Sequence, residues 1–488
     1  MDRMDPVDPL LHPDACYLAL KARDARFDGS FFTGVTTTGI YCRPVCRVRT
    51  PRRENCRFFA HAAQAESAGF RPCLRCRPEL APHSLRWSIQ DASSLLAQQA
   101  ARLLDEPEAW REAPPSVEQL AARLGVSDRH LRRIFEAQMG VTPLQYLQTR
   151  RLLTAKQLLA DTDLPVTTVA LASGFASVRR FNAAFVQHYG LNPTQLRRAG
   201  SGRELACAVR LGFRPPFDVA AMLGFFRTRA IAGLESVTDT TLARTLALDG
   251  RAGWLQLAFH GPACQVVLRT SESLRPVLPL VIRRVRAALD LDADPHAINT
   301  RLHASFPLGD GLRVPGAFSG YELAVRAVLG QQITVAAART LAQRLVQRFG
   351  APVETPFDGL HRLFPAAEVL AAAEGDALGQ LGIVRQRQAA IVAIARAVAA
   401  GTLQLHPGAD VPATVAALKA LPGIGDWTAQ YIAMRALRWP DAFPAGDVAL
   451  HKALGVQQAK QPAREAEAAS QAWKPWRSYA VVRAWSAL

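Results

Sequence analysis

The sequence contains no uninterrupted apolar run of about 18 residues, the length that a membrane-spanning helix requires. Its first ten residues, MDRMDPVDPL, are acidic and interrupted by proline, and they lack the basic and apolar regions of a secretory signal. We therefore expect a cytoplasmic chain with no membrane partner. In that compartment the eight cysteines should be metal ligands, nucleophiles or core residues rather than disulfides.

Acidic residues are scarce relative to basic ones. The chain has 41 Asp and Glu against 58 Lys and Arg, which gives a formal net charge of +17 and an isoelectric point near 10.2. This excess favours a polyanionic partner, because basic side chains release counterions from a phosphate backbone. A chain of 488 residues with 49% hydrophobic residues can form several folded domains, and double-stranded DNA is the predicted partner.

Five of the eight cysteines lie between residues 42 and 76, and four of them are spaced as metal ligands. Three residues separate Cys42 from Cys46, and two separate Cys73 from Cys76. This spacing suits four thiolates around one tetrahedral Zn²⁺. Taken alone, the pattern also fits a purely structural zinc site or a group of buried core cysteines.

The sequence around these cysteines is more specific. The segments TTGIYCRPVCR (37–47) and AGFRPCLRCRP (68–78) closely resemble the amino-terminal zinc domain of the Ada family, which accepts methyl groups from DNA methylphosphotriesters. The resemblance implies that all four cysteines bind one zinc ion and that Cys42 is the methyl acceptor. Methylating one of four thiolates would change the net charge of the site from about −2 to about −1 and strengthen DNA binding.

Two further expectations concern the surroundings of the cysteine cluster. Cys56 lies outside the matched pattern and is expected in the core. The neighbouring arginines are candidate phosphate contacts, with a solvated basic face as the alternative: Arg43, Arg47, Arg49, Arg52, Arg53 and Arg71.

The segment between residues 125 and 193 contains an internal repeat with a period of fifty residues. GVSDRHLRRIFEAQMGVTP in the first copy matches FASVRRFNAAFVQHYGLNP in the second, and a serine, Ser127 or Ser177, precedes a basic helix in each. Two packed amphipathic helices can imitate one such unit, but the duplication favours two helix-turn-helix motifs. The segment resembles an AraC-type DNA-binding domain along its full length, which implies transcription activation. The candidate base contacts are Arg129, His130, Arg132, Arg133, Arg179, Arg180 and Asn182.

The segment LPGIGDWTAQYIA (421–433) places Gly423 and Gly425 in a tight turn between two amphipathic helices. The backbone N–H groups of such a turn can bind a DNA phosphate, although an ordinary helix connection has the same pattern. Asp447 follows directly before an apolar helix, which it could cap. The hairpin and the aspartate together resemble the helix-hairpin-helix DNA glycosylases, and the similarity to AlkA-type alkyl-base glycosylases covers nearly all of residues 205–488.

This second resemblance implies a catalytic site. Asp447 would stabilise an oxocarbenium-like sugar and guide water, while an aromatic pocket would hold the flipped, cationic purine. The pocket residues would be Phe225, Trp427, Tyr431 and Trp485, although aromatic residues at helical spacing often belong to a core.

The chain departs from the AlkA pattern at two positions. Gln332 stands where AlkA-type enzymes have a DNA-wedging leucine, and Val448 replaces an aromatic residue beside the aspartate. Trp427 occupies the position at which bifunctional members of the superfamily carry a Schiff-base lysine. We therefore expect a monofunctional glycosylase that leaves an abasic site. Lys452 is the remaining lyase candidate, although a phosphate contact is the better interpretation of this lysine.

These observations predict a multidomain α+β protein. Its function would be an adaptive response to DNA alkylation: methyl transfer from methylphosphotriesters to a cysteine, transcription activation, and hydrolysis of the N-glycosidic bond of bases of the 3-methyladenine type. The alternative is a transcription regulator whose glycosylase-like half binds DNA without catalysis. The predicted domains are a small zinc-bound α/β domain (1–88), an all-α double helix-turn-helix domain (89–200), a small α+β domain (203–290) and an all-α helix-hairpin-helix glycosylase domain (291–488).

The remaining expectations concern ligands and assembly. We expect one zinc ion per chain and no organic cofactor. RNA polymerase would be a further partner of a monomeric protein associated with the bacterial nucleoid.

Overall fold

The computed structural model describes residues 12–83, 92–106, 110, 115–200, 208–373 and 376–488. The expected domain boundaries near residues 88 and 203 fall outside these ranges. The chain divides into two compact units, and the multidomain α+β fold class is confirmed. Within the described ranges, no helix combines the length and the apolar character needed to cross a membrane. The first unit extends to Pro215 and includes His260–Val267 and Leu291–Asp294, and the second comprises Pro216–Phe259, Leu268–Asp290 and Pro295–Leu488.

The first unit begins with a four-stranded sheet in the order β3-β1-β2-β4. Strand β1 pairs antiparallel with both β2 and β3, whereas β2 and β4 are parallel, with Tyr41 opposite Pro72. This parallel pairing places the end of β2, which is Cys42, beside the residue that follows β4, which is Cys73. The elements are α1 (Pro13–Ala22), β1 (Phe32–Val35), β2 (Ile40–Cys42), β3 (Cys56–Phe59), α2 (Ala62–Ser67) and β4 (Arg71–Pro72).

The remainder of the first unit is largely helical and shows the predicted duplication. Ser127 and Ser177 accept hydrogen bonds from the N–H groups of His130 and Arg180 and so cap α5 and α8. The longest helix, α6, connects the two copies. The elements are α3 (Ala92–Asp105), α4 (Val117–Arg123), α5 (Asp128–Met139), α6 (Pro143–Asp161), α7 (Val166–Ala172), α8 (Val178–Tyr189), α9 (Pro193–Gly200) and β5 (Ala208–Gly212).

The second unit contains an antiparallel hairpin in which Thr241 pairs with Ala258 and Leu248 with Arg251. Strands β9, β8, β7 and β6 are neighbours in that order. The elements of this part are α10 (Val219–Arg229), β6 (Glu235–Val237), β7 (Thr241–Leu248), β8 (Arg251–His260) and β9 (Gln265–Thr270).

The rest of the second unit is helical, with the largely buried helix α13 at its centre. Helix α13 packs against α14, α16 and α18, and the turn between α17 and α18 forms the predicted hairpin. Gly423 in this turn has a φ of 75°, a conformation that L side chains rarely adopt. The helices are α11 (Leu278–Ala288), α12 (Pro295–Leu302), α13 (Gly320–Leu329), α14 (Val335–Phe349), α15 (Ala367–Ala371), α16 (Arg385–Ala399), α17 (Val411–Lys419), α18 (Asp426–Arg435), α19 (Val448–Ala453), α20 (Pro462–Ser470) and α21 (Arg477–Ser486).

Candidate functional site

The four predicted cysteine ligands meet in the first unit. The Sγ atoms of Cys42, Cys46, Cys73 and Cys76 all lie within 4.8 Å of one another. The parallel pairing of β2 and β4 brings the two halves together, and the N–H of Cys73 donates to the carbonyl oxygen of Tyr41 at 3.0 Å. Tetrahedral Zn²⁺ with Zn–S bonds of about 2.3 Å would place the sulfurs roughly 3.8 Å apart, so the cluster fits the ion.

The electrostatics of the cluster also favour binding of a cation. The three neighbouring thiols and burial hold the pKa of Cys76 well above its ordinary value, because four ionised sulfurs would repel one another. A divalent ion removes that penalty and stabilises the thiolates. The chemistry and geometry of this donor set therefore support zinc binding.

The four sulfurs have different surroundings. The N–H of Arg43 donates to Sγ of Cys76 at 3.4 Å, and the backbone N–H groups of Val48 and Cys76 bond to Cys46 and Cys73. The strongest interactions of Cys42 are with the other three sulfurs. Hydrogen bonds to a thiolate reduce its electron density, so these backbone donors lower the nucleophilicity of the sulfurs that accept them.

Arg43 does not have the phosphate-binding role that we expected. Its side chain is buried and forms an ion pair with Asp28, and its Nη1 donates to the carbonyl oxygen of Cys76 at 2.9 Å. This arginine supports the metal loop from inside the domain. Among the other candidates, Arg47, Arg49 and Arg52 are exposed, while Arg53 pairs with Asp14 and Arg71 contacts the carbonyl oxygen of Tyr189.

Cys56 is buried outside the cluster, as expected, and its thiol donates to the carbonyl oxygen of Arg52 at 3.3 Å. Cys56 is therefore a buried cysteine of the same domain that is not part of the cluster, and it can serve as a control for the four ligands.

All seven candidate base contacts lie on the first two turns of α5 and α8 and are exposed. Arg132 also pairs with Glu118 at 3.0 Å, and Arg133 lies 3.3 Å from Nδ1 of His130. The two helices therefore present basic amino-terminal turns, the geometry that a helix-turn-helix domain uses in the major groove. The residues are Arg129, His130, Arg132, Arg133, Arg179, Arg180 and Asn182.

In the second unit, Asp447 and the four predicted aromatic residues line one cavity of about 730 Å³. The rings of Trp427 and Tyr431 stack at 5.2 Å with an interplanar angle of 11°, and Trp485 lies 6.3 Å from Tyr431. The i, i+4 spacing of Trp427 and Tyr431 on α18 places both rings on one face of that helix. A cavity of this size can accommodate a nucleobase, and its aromatic surface can stack on it.

Asp447 is only 9% exposed, and three donors fix its carboxylate. Oδ1 accepts from the N–H of Leu450 at 2.7 Å, which caps α19, and from the indole N–H of Trp485 at 3.0 Å. Oδ2 accepts from the indole N–H of Trp427 at 2.8 Å. Donors of this kind hold the carboxylate in one orientation at the wall of the cavity.

The sequence-based prediction of the pocket did not include any arginine, whereas the structure places arginines in its wall. The guanidinium of Arg435 donates to the carbonyl oxygens of Pro315 and Gly316 and to the Tyr431 hydroxyl. It also lies 4.7 Å from the Phe225 ring centroid, and the Arg229 guanidinium lies 3.8 Å from the same ring. The only sequence signal was the i, i+4 spacing of each arginine from an aromatic residue.

These arginines change the chemistry of the pocket wall. Burial alone would raise the pKa of Tyr431, but the positive charges of Arg435, Arg229 and Arg326 outweigh it and lower that pKa. Phe225 is engaged by two guanidinium groups. The Arg435 guanidinium also lies 5.2 Å from the Tyr431 ring centroid, and all four aromatic residues line the cavity.

The remaining candidates surround the hairpin. Gln332 is exposed in the loop between α13 and α14 with a φ of 55°, and Val448 is 78% exposed beside Asp447. The neighbouring Gln331 donates to the carbonyl oxygen of Gly423 at 3.0 Å, which ties this loop to the hairpin. Gly425 precedes α18 and is exposed. These positions are accessible to DNA.

Four family models match the chain in succession. They are the metal binding domain of Ada at residues 15–79, a helix-turn-helix domain at 120–199, the AlkA N-terminal domain at 208–319, and the helix-hairpin-helix superfamily of base excision DNA repair proteins at 325–478. Their order agrees with the order of the elements and sites described above.

Three curated relatives cover different parts of the chain. The "Probable bifunctional transcriptional activator/DNA repair enzyme AlkA" of Mycobacterium tuberculosis is 39% identical over 98% of this chain and 97% of its own length. The DNA-3-methyladenine glycosylase 2 of Escherichia coli is 34% identical over 56% of this chain and 95% of its own length. The Ada activator and repair enzyme of E. coli is 37% identical over 39% of this chain and 50% of its own length.

The fold and the sites thus define a class: DNA repair proteins that join a zinc-binding domain and a helix-turn-helix activator domain to a helix-hairpin-helix DNA glycosylase. Within that class, the chain belongs to the family of bifunctional transcriptional activators and DNA repair enzymes that includes AlkA of M. tuberculosis.

Proposed function

We propose that this protein transfers methyl groups from DNA methylphosphotriesters to Cys42 and hydrolyses the N-glycosidic bonds of alkylated bases of the 3-methyladenine type. The observation that carries the glycosylase proposal is the Asp447 carboxylate, fixed by three donors at the wall of an aromatic cavity. The similarity to DNA-3-methyladenine glycosylase 2 supports the class of substrate.

In the glycosylase reaction, the base is flipped into the cavity and is held among the aromatic residues that line it, Phe225, Trp427, Tyr431 and Trp485. The N-glycosidic bond breaks, and the electron pair leaves with the base. A cationic alkylated purine departs as a neutral molecule and needs no proton. The Asp447 carboxylate stabilises the positive charge that develops on the sugar and orients the water that adds to it. The products are the free base and an abasic site.

In the methyl transfer, the Cys42 sulfur forms a bond to the methyl carbon while the carbon–oxygen bond of the phosphotriester breaks. The phosphodiester anion leaves with the electron pair of that bond. Zinc bound to the four cysteines would maintain the sulfurs as thiolates at neutral pH. Cys42 is the proposed nucleophile because it is the first of the four clustered cysteines, the position that the resemblance to the Ada zinc domain assigns to the methyl acceptor.

The DNA-binding residues form two groups, which would contact promoter DNA and damaged DNA respectively. The exposed turns of α5 and α8 would contact promoter DNA and thereby recruit RNA polymerase, while Gln332 and the hairpin at Gly423 and Gly425 would hold the damaged duplex at the cavity. This proposal also includes the boundaries of the four domains given above, one zinc ion per chain and a monomeric state.

One experiment tests both chemistries. The full-length protein is incubated with duplex DNA treated with a methylating agent, the protein mass is measured, and the released bases are separated by chromatography. We expect the protein to gain one methyl group and the DNA to lose methylated purines. A mass gain without base release would favour the non-catalytic regulator, and base release without a mass gain would remove the methyl-acceptor role.

A further inference from the structure

Basic residues outnumber acidic ones in the wall of the glycosylase cavity. Of the described residues that line it, only Asp447 is acidic. The basic lining residues are Arg229, Arg313, Arg326, Arg339 and Arg435. Clustered charges of one sign in a cleft produce a strong local field, so the field of this wall is positive away from Asp447. Such a wall repels a cationic purine and attracts negative charge.

Two of the lining arginines have no carboxylate partner in the described part of the chain. Nη1 of Arg229 donates to the carbonyl oxygen of Phe225 at 3.3 Å and to the hydroxyl of Thr228 at 3.1 Å. Arg435 donates to two backbone carbonyl oxygens and to the Tyr431 hydroxyl, as described above. All of these acceptors are neutral groups. The positive charges of Arg229 and Arg435 are therefore not neutralised by a partner.

Arg326 shows the contrasting arrangement. It forms ion pairs with Glu235 at 2.7 Å and with Glu322 at 3.3 Å, which neutralise its charge. Burial lowers the pKa of Arg229, and the like charges of Arg435 and Arg326 lower it further. An arginine nevertheless remains protonated at neutral pH, because its ordinary pKa is above 12. Arg229 and Arg435 therefore contribute most of the uncompensated positive charge beside the aromatic rings.

These arginines and Asp447 stand at opposite ends of the aromatic wall. Trp427, Tyr431 and Arg435 follow one another at intervals of four residues on α18, so they lie along one face of that helix. The rise per residue places Arg435 about 12 Å along the axis from Trp427. The Trp427 indole bonds to Asp447, whereas the guanidinium groups of Arg435 and Arg229 lie over the Phe225 ring. A nucleotide with its sugar at Asp447 would therefore direct its base toward the arginines.

This polarity matches the movement of charge in the reaction. When the N-glycosidic bond breaks, both of its electrons go to the base nitrogen and positive charge develops on the sugar. A base that begins as a cation leaves as a neutral molecule, whereas a neutral base leaves as an anion. The water that adds to the sugar releases one proton, and the base anion takes up one proton from solvent. Positive charge at the base end favours both departures, because electron density moves toward it.

The effect on substrate choice differs between the two kinds of base. A cationic base is repelled when it binds and has lost most of its charge in the transition state, so the arginines change its overall barrier little. A neutral base is not repelled on binding, and the arginines stabilise the negative charge that it gains. The guanidinium groups also already occupy the Phe225 ring, one of the faces expected to attract a cationic purine.

We propose that Arg229 and Arg435 are specificity-determining residues that stabilise the electron pair leaving with a neutral damaged base. They complement Asp447, which stabilises the opposite charge on the sugar. The proposal rests on the glycosylase activity proposed above and assigns to the arginines the part of the reaction that a carboxylate cannot assist.

The test varies Arg229, because Arg435 also binds backbone carbonyl oxygens of the fold. Arg229→Gln removes the charge, and Arg229→Lys keeps it. Arg227→Gln is the matched control, since Arg227 lies on the same helix but pairs with Asp239 at 2.8 Å and is not a lining residue. The full-length proteins act on two duplexes of one sequence, which contain either hypoxanthine, a neutral base, or 7-methylguanine, a cationic one.

Single-turnover base release is measured over a range of protein concentrations. The maximal rate divided by the half-saturating concentration compares the transition state with free protein and DNA. In Arg229→Gln we expect this quotient to fall about tenfold for hypoxanthine and by less than about twofold for 7-methylguanine. Arg229→Lys should restore most of the hypoxanthine release, and Arg227→Gln should match wild type with both bases. Affinity for a duplex with an abasic site verifies folding.

The other outcomes separate this proposal from the glycosylase function itself. An equal loss with both bases in Arg229→Gln would show a structural role and overturn the proposal, as would no loss with either base. Release of 7-methylguanine but not of hypoxanthine by wild type would also overturn it and leave the glycosylase function standing. If wild type released neither base, the glycosylase function would fail, and this proposal with it.

Discussion

The indole N–H of Trp427 donates to Oδ2 of the Asp447 carboxylate at 2.8 Å. A ring that stacks on Tyr431 and faces the cavity thus also fixes the proposed catalytic group. The indole N–H of Trp485 likewise donates to Oδ1 of Asp447. The aromatic wall and the acid form one unit, so a substitution in the wall should affect the chemical step as well as base binding.

We predict that Trp427→Phe slows base release about tenfold to a hundredfold, because it keeps an aromatic ring but loses a hydrogen bond to a charged group, worth roughly 1.5–3 kcal/mol. The measurement is single-turnover release of 3-methyladenine at saturating enzyme. Affinity for a duplex containing an abasic site serves as the control for folding and DNA binding. A normal single-turnover rate with weakened binding would show that Trp427 only stacks.

Asp447→Asn should reduce base release about a hundredfold or more, because the uncharged amide cannot stabilise the sugar cation. Asparagine is a good helix N-cap, so α19 and the fold should be retained. The assay follows base release and duplex binding in parallel, with the expectation that binding stays at the wild-type level. Near-normal release would move the catalytic role to another residue.

Cys42→Ser should abolish methyl uptake from phosphotriesters. Cys56→Ser is the matched control, since Cys56 is also buried in the zinc-binding domain but lies outside the cluster. Protein mass after incubation with methylated DNA measures uptake, and metal analysis measures zinc. Persistent uptake by Cys42→Ser, or its loss in Cys56→Ser, would contradict the assignment of the acceptor.

Glu66 should make stability depend on pH. Burial raises the pKa of its carboxyl group from 4.5 to about 7, an effect that hydrogen bonds from Thr149 and Tyr41 only partly offset. Between these pH values the folded protein holds a proton that the unfolded chain has lost. The free energy of unfolding should therefore fall as pH rises through this window, by about 3 kcal/mol from this group.

Glu66→Gln removes the titrating carboxyl and should flatten that dependence. The comparison uses denaturant unfolding of both full-length proteins across the same pH range. Nδ1 of His188, whose pKa burial lowers, lies 3.7 Å from Oε2 of Glu66, so the same comparison is made in a His188→Gln background that removes this second titrating group. Parallel stability curves for the two proteins would show that Glu66 does not titrate in this range.

Most of the fold and of the candidate sites was predicted from local patterns in the sequence. The cysteine spacing, the fifty-residue repeat and the hairpin glycines are short-range features, and each corresponds to an element in the described structure. The contacts that sequence reasoning missed join distant positions. Thr149 and Glu66, which share a hydrogen bond, are 83 residues apart. Arg43 was expected to be exposed, but its side chain forms an ion pair with Asp28 inside the domain. Such partners follow from packing between elements, which periodicity does not encode.

The last prediction concerns strand cleavage. The resemblance to the helix-hairpin-helix glycosylases places Trp427 at the lyase lysine position, and the Trp427 indole N–H donates to Asp447, so we expect no amine there to attack the sugar. Lys452 lies on α19 and is exposed. Product strands should therefore stay intact on a denaturing gel until they are treated with alkali. Borohydride should trap no covalent complex of protein and DNA, and a trapped complex that disappears in Lys452→Ala would show that this lysine supplies lyase chemistry.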